Sequence, residues 1–171
     1  MANECFFSIR VKGEPKKIRK FLKYFIFDDE IGKDNKKVYL ARTFISYPTY
    51  KRYVKINKEK IDKGEMFFYG VCAWSCWSCW FSGYPDGEKC LTLEEVLKRC
   101  NVKIEVDSEE GGVGFEEHIE NLDEELTYSV EDMKRFQCEC GNTESIASSY
   151  DLSDYECGEC GKFGKWKEVK K

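Results

Sequence analysis

Four cysteines near the C-terminus have the types and spacing of a metal site: Cys138-Glu-Cys140, then sixteen residues, then Cys157-Gly-Glu-Cys160. Two short pairs at this separation can close one tetrahedral thiolate shell around Zn2+. A segment of about thirty-five residues has too little apolar surface to fold alone, and a bound ion supplies the missing stability. Gly141 and Gly161 follow the second cysteine of each pair. Glycine there lets the backbone turn so that amide N–H groups point at sulfur. The pattern reads as a zinc ribbon, with one departure: the first pair has one intervening residue where two are usual. Four thiolates leave no open position, so one structural zinc is expected and not a catalytic one. Two disulfides or four free thiols are the alternative.

A second group, Cys72-Ala-Trp-Ser-Cys76-Trp-Ser-Cys79, has the three-cysteine spacing of radical-SAM iron–sulfur sites. The chain is too short for the usual barrel and no glycine-rich cofactor strand follows. Buried free thiols are the expectation, since cysteine is commonly a small core hydrophobe. A second metal, with Cys90 or Cys100 joining, stays open. Trp74, Trp77 and Trp80 fall three apart and would form one ridge on a helix, with two of the three expected in the core. An exposed Trp77 would suit a partner interface. Tyr50, Lys51, Arg52, Tyr53 and Lys55 interleave rings and cations, a weak nucleic-acid pattern that an ordinary solvated loop also produces. His118, the sole histidine, stands beside Glu116 and Glu117. No nucleophile–base pair, phosphate loop or paired-carboxylate motif emerges, and the chain is not expected to be an enzyme.

Charge is unevenly spread along the 171 residues. Residues 1–65 hold 17 Lys+Arg against 9 Asp+Glu, residues 66–136 hold 6 against 16, and residues 137–171 hold 5 against 7. The acidic middle, with Asp107, Glu109, Glu110, Glu116, Glu117 and Glu120, would repel nucleic acid and attract a basic protein surface. Direct nucleic-acid binding is therefore expected to be weak. Ten cysteines with no apparent secretion signal imply a reducing, cytosolic setting, and no apolar run is long enough to span a membrane.

The elements that must position these groups follow from periodicity. Residues 5–11 alternate as a strand, and Pro15 opens a helix with Ile18, Phe21, Leu22 and Phe25 on one face. Residues 28–35 read as a polar loop, residues 38–46 as a strand, residues 47–57 as a segment with no clear period, and residues 66–74 as an apolar strand. A turn is expected at Gly83–Gly87. Thr92 and Glu95 form a capping box for a helix that stops at Asn101. Residues 102–106 and 115–119 read as strands around a glycine turn at 111–114, and residues 120–135 carry a weak helical pattern. The order implies an α+β ferredoxin-like antiparallel sheet with two helices on one face over residues 1–120, an acidic connection over 121–135 and the zinc ribbon over 136–171.

The opening Met1-Ala-Asn3-Glu-Cys5, with Ile9, Val11 and Gly13 before the Ile18/Phe21 helix, resembles the start of the Api-type family of phage and plasmid proteins. The Trp74/Trp77/Trp80 cluster and Glu109-Glu-Gly-Gly-Val-Gly-Phe115 are further echoes, and together they cover residues 1–120. The resemblance implies a ferredoxin-like N-terminal domain, a mobile-element origin and a cytosolic setting, and it transfers no catalytic residue. The expectation is an accessory protein that binds and inhibits a host protein or ribonucleoprotein complex, such as a CRISPR effector. A zinc-ribbon nucleic-acid-binding or transcription-linked module is the alternative.

Overall fold

The computed structural model describes residues 4–33, 37–82, 90–110, 114–123 and 125–169. The expected opening at Met1–Asn3, the turn at Gly83–Gly87 and most of the glycine turn at 111–114 lie outside the described residues. The protein is mixed α+β, with a large, mostly antiparallel sheet and few helices.

Strand β1 (Glu4–Lys12) sends Cys5, Phe7, Ile9 and Val11 into the core and Phe6, Arg10 and Lys12 to the other face. Period-two alternation of this kind commits each face of a strand to one environment. Pro15 then opens α1 (Pro15–Phe21), where its missing N–H would have had no helical partner. Ile18, Phe21, Leu22 and Phe25 are buried, as their spacing predicts. The short β2 (Ile26–Phe27) runs parallel to β3 (Thr43–Ile45). The strand expected over 38–46 is thus confined to three residues, and Leu40 makes only an isolated bridge to Leu91.

The segment with no clear period is helical: α2 (Tyr50–Ile56) and α3 (Lys58–Asp62) are separated by Asn57. Each is too short to display a full apolar stripe, which hides the helical period in the sequence. Thr49 caps α2 by accepting the Arg52 N–H. Strand β4 (Glu65–Ala73) and the one-turn α4 (Cys76–Trp80) follow, and Ser75 caps α4 by accepting the Ser78 N–H. Helix α5 (Leu93–Cys100) has the full Thr92–Glu95 capping box, buries Leu93, Val96, Leu97 and Cys100, and stops at Asn101 in the left-handed conformation, φ 50°.

Strands β5 (Lys103–Glu110) and β6 (Phe115–Glu120) extend the sheet. The weak helical pattern over 120–135 is not realised: Thr127–Cys138 form the twelve-residue strand β7. Its first half pairs with β6, and its second half pairs with β8 (Thr143–Ala147) and β9 (Trp166–Glu168). Most of its residues are exposed, so no apolar alternation marks it, and its ladder partners decide its conformation. The sheet order is β2-β3-β4-β1-β5-β6-β7-β8, with β9 on β7. One core joins the inner sheet face to α1 and α5, and a second, smaller core lies around Phe136, Ile146 and Trp166.

Gly70 of β4 is required by close packing. A Cβ there would overlap the edge of the Phe7 ring and lie 2.5 Å from the Phe44 carbonyl oxygen. That ring is itself held edge-on by Trp80, with centroids 5.2 Å apart. Gly70→Ala should lower stability by about 1–3 kcal/mol in urea unfolding. The loss should shrink in the Phe7→Leu background if the ring causes it, and an undiminished loss there would assign it to the Phe44 backbone.

Candidate metal centre and acidic sheet face

The four C-terminal cysteines converge. Cys138 ends β7, and the chain reverses through Cys140 and Gly141, whose N–H bonds the Cys138 carbonyl at 2.9 Å. The second pair closes a turn one residue longer: the Gly161 N–H bonds the Cys157 carbonyl at 2.8 Å. Both glycines have positive φ, 97° at Gly141 and 66° at Gly161, where side chains with a Cβ are strained. The Sγ atoms of Cys138 and Cys160 are 3.7 Å apart, as are those of Cys140 and Cys157, and all four lie within 4.8 Å of one another. Tetrahedral bonds of about 2.3 Å put sulfurs about 3.8 Å apart. The donor set and its spacing are therefore compatible with a metal ion such as zinc.

The surroundings favour thiolate at Cys157, while Cys138 and Cys160 are shifted up. The Asn142 amide donates to Cys157 Sγ at 3.6 Å. Burial pushes the Cys157 thiol up, but the Cys160 N–H, Asn142 and the Glu159 N–H outweigh it and bring it down to about 6. Beneath the cysteines, Trp166 packs edge-on to Tyr155 and donates its indole N–H to the Tyr155 carbonyl at 3.1 Å.

The other cysteines divide. Cys79 donates to the Ala73 carbonyl at 3.0 Å. Cys100 is buried on α5, and neither it nor Cys90 joins a convergent group among the described residues. Cys72 and Cys76 instead meet Cys5, which stands 67 residues before Cys72 in the chain and directly opposite it in the β1/β4 ladder. Sequence spacing carries no sign of this meeting.

The sheet face opposite α1 and α5 holds an open groove of about 550 Å³. Asp107, Glu109, Glu116 and Glu131 line it, with Phe6 and Tyr69 as exposed rings. Glu120 sits at its side, 3.8 Å from His118 Nε2. Two expected members turn inward, and of these Glu117 still borders the groove. Glu110 and Glu117 are each only 3% exposed, because strand alternation turns them to the inner face, away from their neighbours Glu109 and Glu116. Glu117 accepts N–H bonds from Cys76 and Trp77 and hydroxyl bonds from Ser108 and Tyr128. Burial pushes its carboxyl up, and these donors pull it part of the way back.

The tryptophans separate as well. Trp80 is fully buried, Trp74 is half-buried under Arg42, and Trp77 is 46% exposed. The expected pair of core tryptophans is thus one complete and one partial. Trp77 packs near Tyr128 beside Glu117, on the other side of β6 from the acidic groove. The rings of the Tyr50–Lys55 segment are engaged within the fold. Tyr50 donates to the Arg19 carbonyl at 2.9 Å, and Tyr53 packs between Phe27 and Tyr47. Burial pushes the Tyr53 hydroxyl up to about 12. Lys51, Arg52 and Lys55 remain exposed.

Across β5, β6 and β7, the residues Asp107, His118 and Ser129 stand side by side. Asp107 bonds His118 Nδ1 at 2.7 Å. His118 Nε2 is directed at Glu120 and makes no hydrogen bond to Ser129 among the described residues, so the row is not an assembled nucleophile–base pair. Comparison with known proteins found no matching family, curated protein or solved structure. No helix among the described residues is long and apolar enough to cross a membrane.

Two expectations follow. Cys157→Ser/Cys160→Ser should lose one equivalent of bound metal and the hydrogen-exchange protection of residues 136–168, while β1, β4 and β5 stay protected; unchanged metal content would overturn the assignment. The hydrogen bond that His118 donates to Asp107 should hold His118 above its ordinary 6.5, against a smaller opposing effect of burial. NMR titration should show this, with Asp107→Asn moving the value back towards 6.5. Because the folded value is the raised one, the contribution to stability is complete below about 6.5 and is lost as pH rises through the folded value. At this exposed pair it is below about 1 kcal/mol.

Proposed function

We propose that this chain is a binding protein, not an enzyme, and that its acidic sheet-face groove docks on a basic surface of a partner protein or ribonucleoprotein complex. One observation carries the reading: four carboxylates and two exposed aromatic rings share an open groove on a sheet face. Carboxylates steer and hold Lys and Arg side chains, and exposed rings take the same cations on their faces. Phe67, packed edge-on to Tyr69 at 5.0 Å, extends the aromatic part. The partner surface this complements is of the kind that grips nucleic acid, so occupancy would block it. Inhibition of a host nucleic-acid-handling complex such as a CRISPR effector is the form that the Api-type resemblance adds, together with a cytosolic setting.

Two finer structural readings belong to the same proposal. The antiparallel order β3-β4-β1-β5, with α1 after β1 and α5 after β4, supports a ferredoxin-like arrangement. The two cysteine turns and their 3.7 Å sulfur pairs support a zinc ribbon in which one zinc holds residues 136–168 together.

The tagged chain should recover a nuclease-resistant protein partner from host lysate. Asp107→Lys/Glu109→Lys/Glu116→Lys should slow association with that partner about tenfold or more at low salt and flatten its salt dependence. Thermal stability should change by less than about 1 kcal/mol. Unchanged association would refute the groove as the docking face. Submicromolar binding of labelled single-stranded or duplex probes by the native chain near physiological salt would refute a protein-directed role.

A further inference from the structure

A second convergence of soft ligands lies inside the main core, independent of both the docking groove and the C-terminal cysteines. Cys5 of β1 and Cys72 of β4 are ladder partners, and both point to the inner face. Past Ala73, the left-handed Trp74, φ 66°, and the cap residue Ser75 turn the chain back so that Cys76 opens α4 beside them. The three Sγ atoms lie within 4.8 Å of one another, with Cys72 and Cys76 at 3.4 Å, and each residue is fully buried.

Packing of small hydrophobes accounts for buried sulfur, but not for three Sγ atoms gathered within 4.8 Å from two strands and a helix. Glu117 Oε2 is 3.8 Å from Cys5 Sγ, and the carboxylate is in the core. Its recorded partners, the Cys76 and Trp77 N–H groups and the Ser108 and Tyr128 hydroxyls, are all uncharged. Among the described residues no ion pair involves Glu117. These four donors satisfy the carboxyl where it lies, beside the sulfurs.

We propose that Cys5, Cys72 and Cys76 form a second metal centre for one thiophilic cation of the zinc class. Sulfurs bound to one such ion at about 2.3 Å are separated by about 3.8 Å in tetrahedral geometry and by at most about 4.6 Å. The observed cluster suits a single ion on that scale after small side-chain adjustment. Soft thiolates select zinc-class ions over magnesium or calcium. Loading displaces the thiol protons, and the ion then ties β1, β4 and the first turn of α4 together at one point. Its burial makes it structural.

Ion counting on the full-length chain tests this. Native mass spectrometry at saturating Zn2+ should give two ions per chain, and the 113Cd form should give two resonances, both shifted as thiolate sites are. Cys157→Ser/Cys160→Ser should retain one ion, and adding Cys76→Ser should remove it. A single ion in the native chain, lost in Cys157→Ser/Cys160→Ser, overturns the proposal. So does a second ion that persists in Cys5→Ser and Cys76→Ser. Should Cys76→Ser fail to fold, the native count decides: one ion, or a second 113Cd resonance outside the thiolate range, overturns it.

Discussion

The register of β1 between β4 and β5 is the constraint on which the inner cysteine cluster and the acidic groove depend. It pairs Cys5 with Cys72 and Ser8 with Asp107, and so fixes which side chains share a face. A slip of one residue would exchange the faces of the whole strand. Phe7, Ile9 and Val11 oppose that slip, since they would leave the core together. Gly70 pins the same register locally, because the Phe7 ring occupies the space where any side chain at 70 would stand. With β1 held, sulfur collects on the inner face and carboxylate on the outer one.

Glu117 links these regions. It belongs to the acidic run by sequence, yet it turns inward and gathers the N–H groups that begin α4. The one-turn helix could not persist on its own propensity, since its nucleus costs more than one turn of hydrogen bonds returns. Its Ser75 cap, the Glu117 carboxylate and the buried Trp80 hold it over the sheet. Trp80 in turn donates its indole N–H to Thr43 at 2.8 Å, tying α4 to β3.

Strand β7 makes the four-cysteine unit continuous with the sheet. Residues 127–132 complete the β6 ladder, and residues 133–138 run on as the spine of the C-terminal unit between β8 and β9. The orientation of the cysteine site relative to the acidic groove therefore depends on a hydrogen-bonded strand spanning both units.

Local signals were legible where a few neighbouring residues suffice. Pro15, the Thr92–Glu95 box, the Asn101 stop, the β1 alternation, the apolar β4 strand and the paired C-terminal cysteines are all short-range statements, and each appears in the structure where the sequence puts it. Strand β7 and helices α2 and α3 were not legible, because their conformation comes from ladder partners and from packing against rings elsewhere in the chain. The sequence by itself determined the donor chemistry: four thiols in two turns, an acidic middle and a set of inner cysteines. Tertiary structure alone decided that Cys5 joins Cys72 and Cys76, that Glu110 and Glu117 are buried while Glu109 and Glu116 face solvent, and that Trp77 lies away from the acidic groove. The reason is geometric. Side chains alternate between the two faces of a strand, and a ladder joins residues of any separation, so which face is the inner one and which residue is the neighbour depend on the register of pairing.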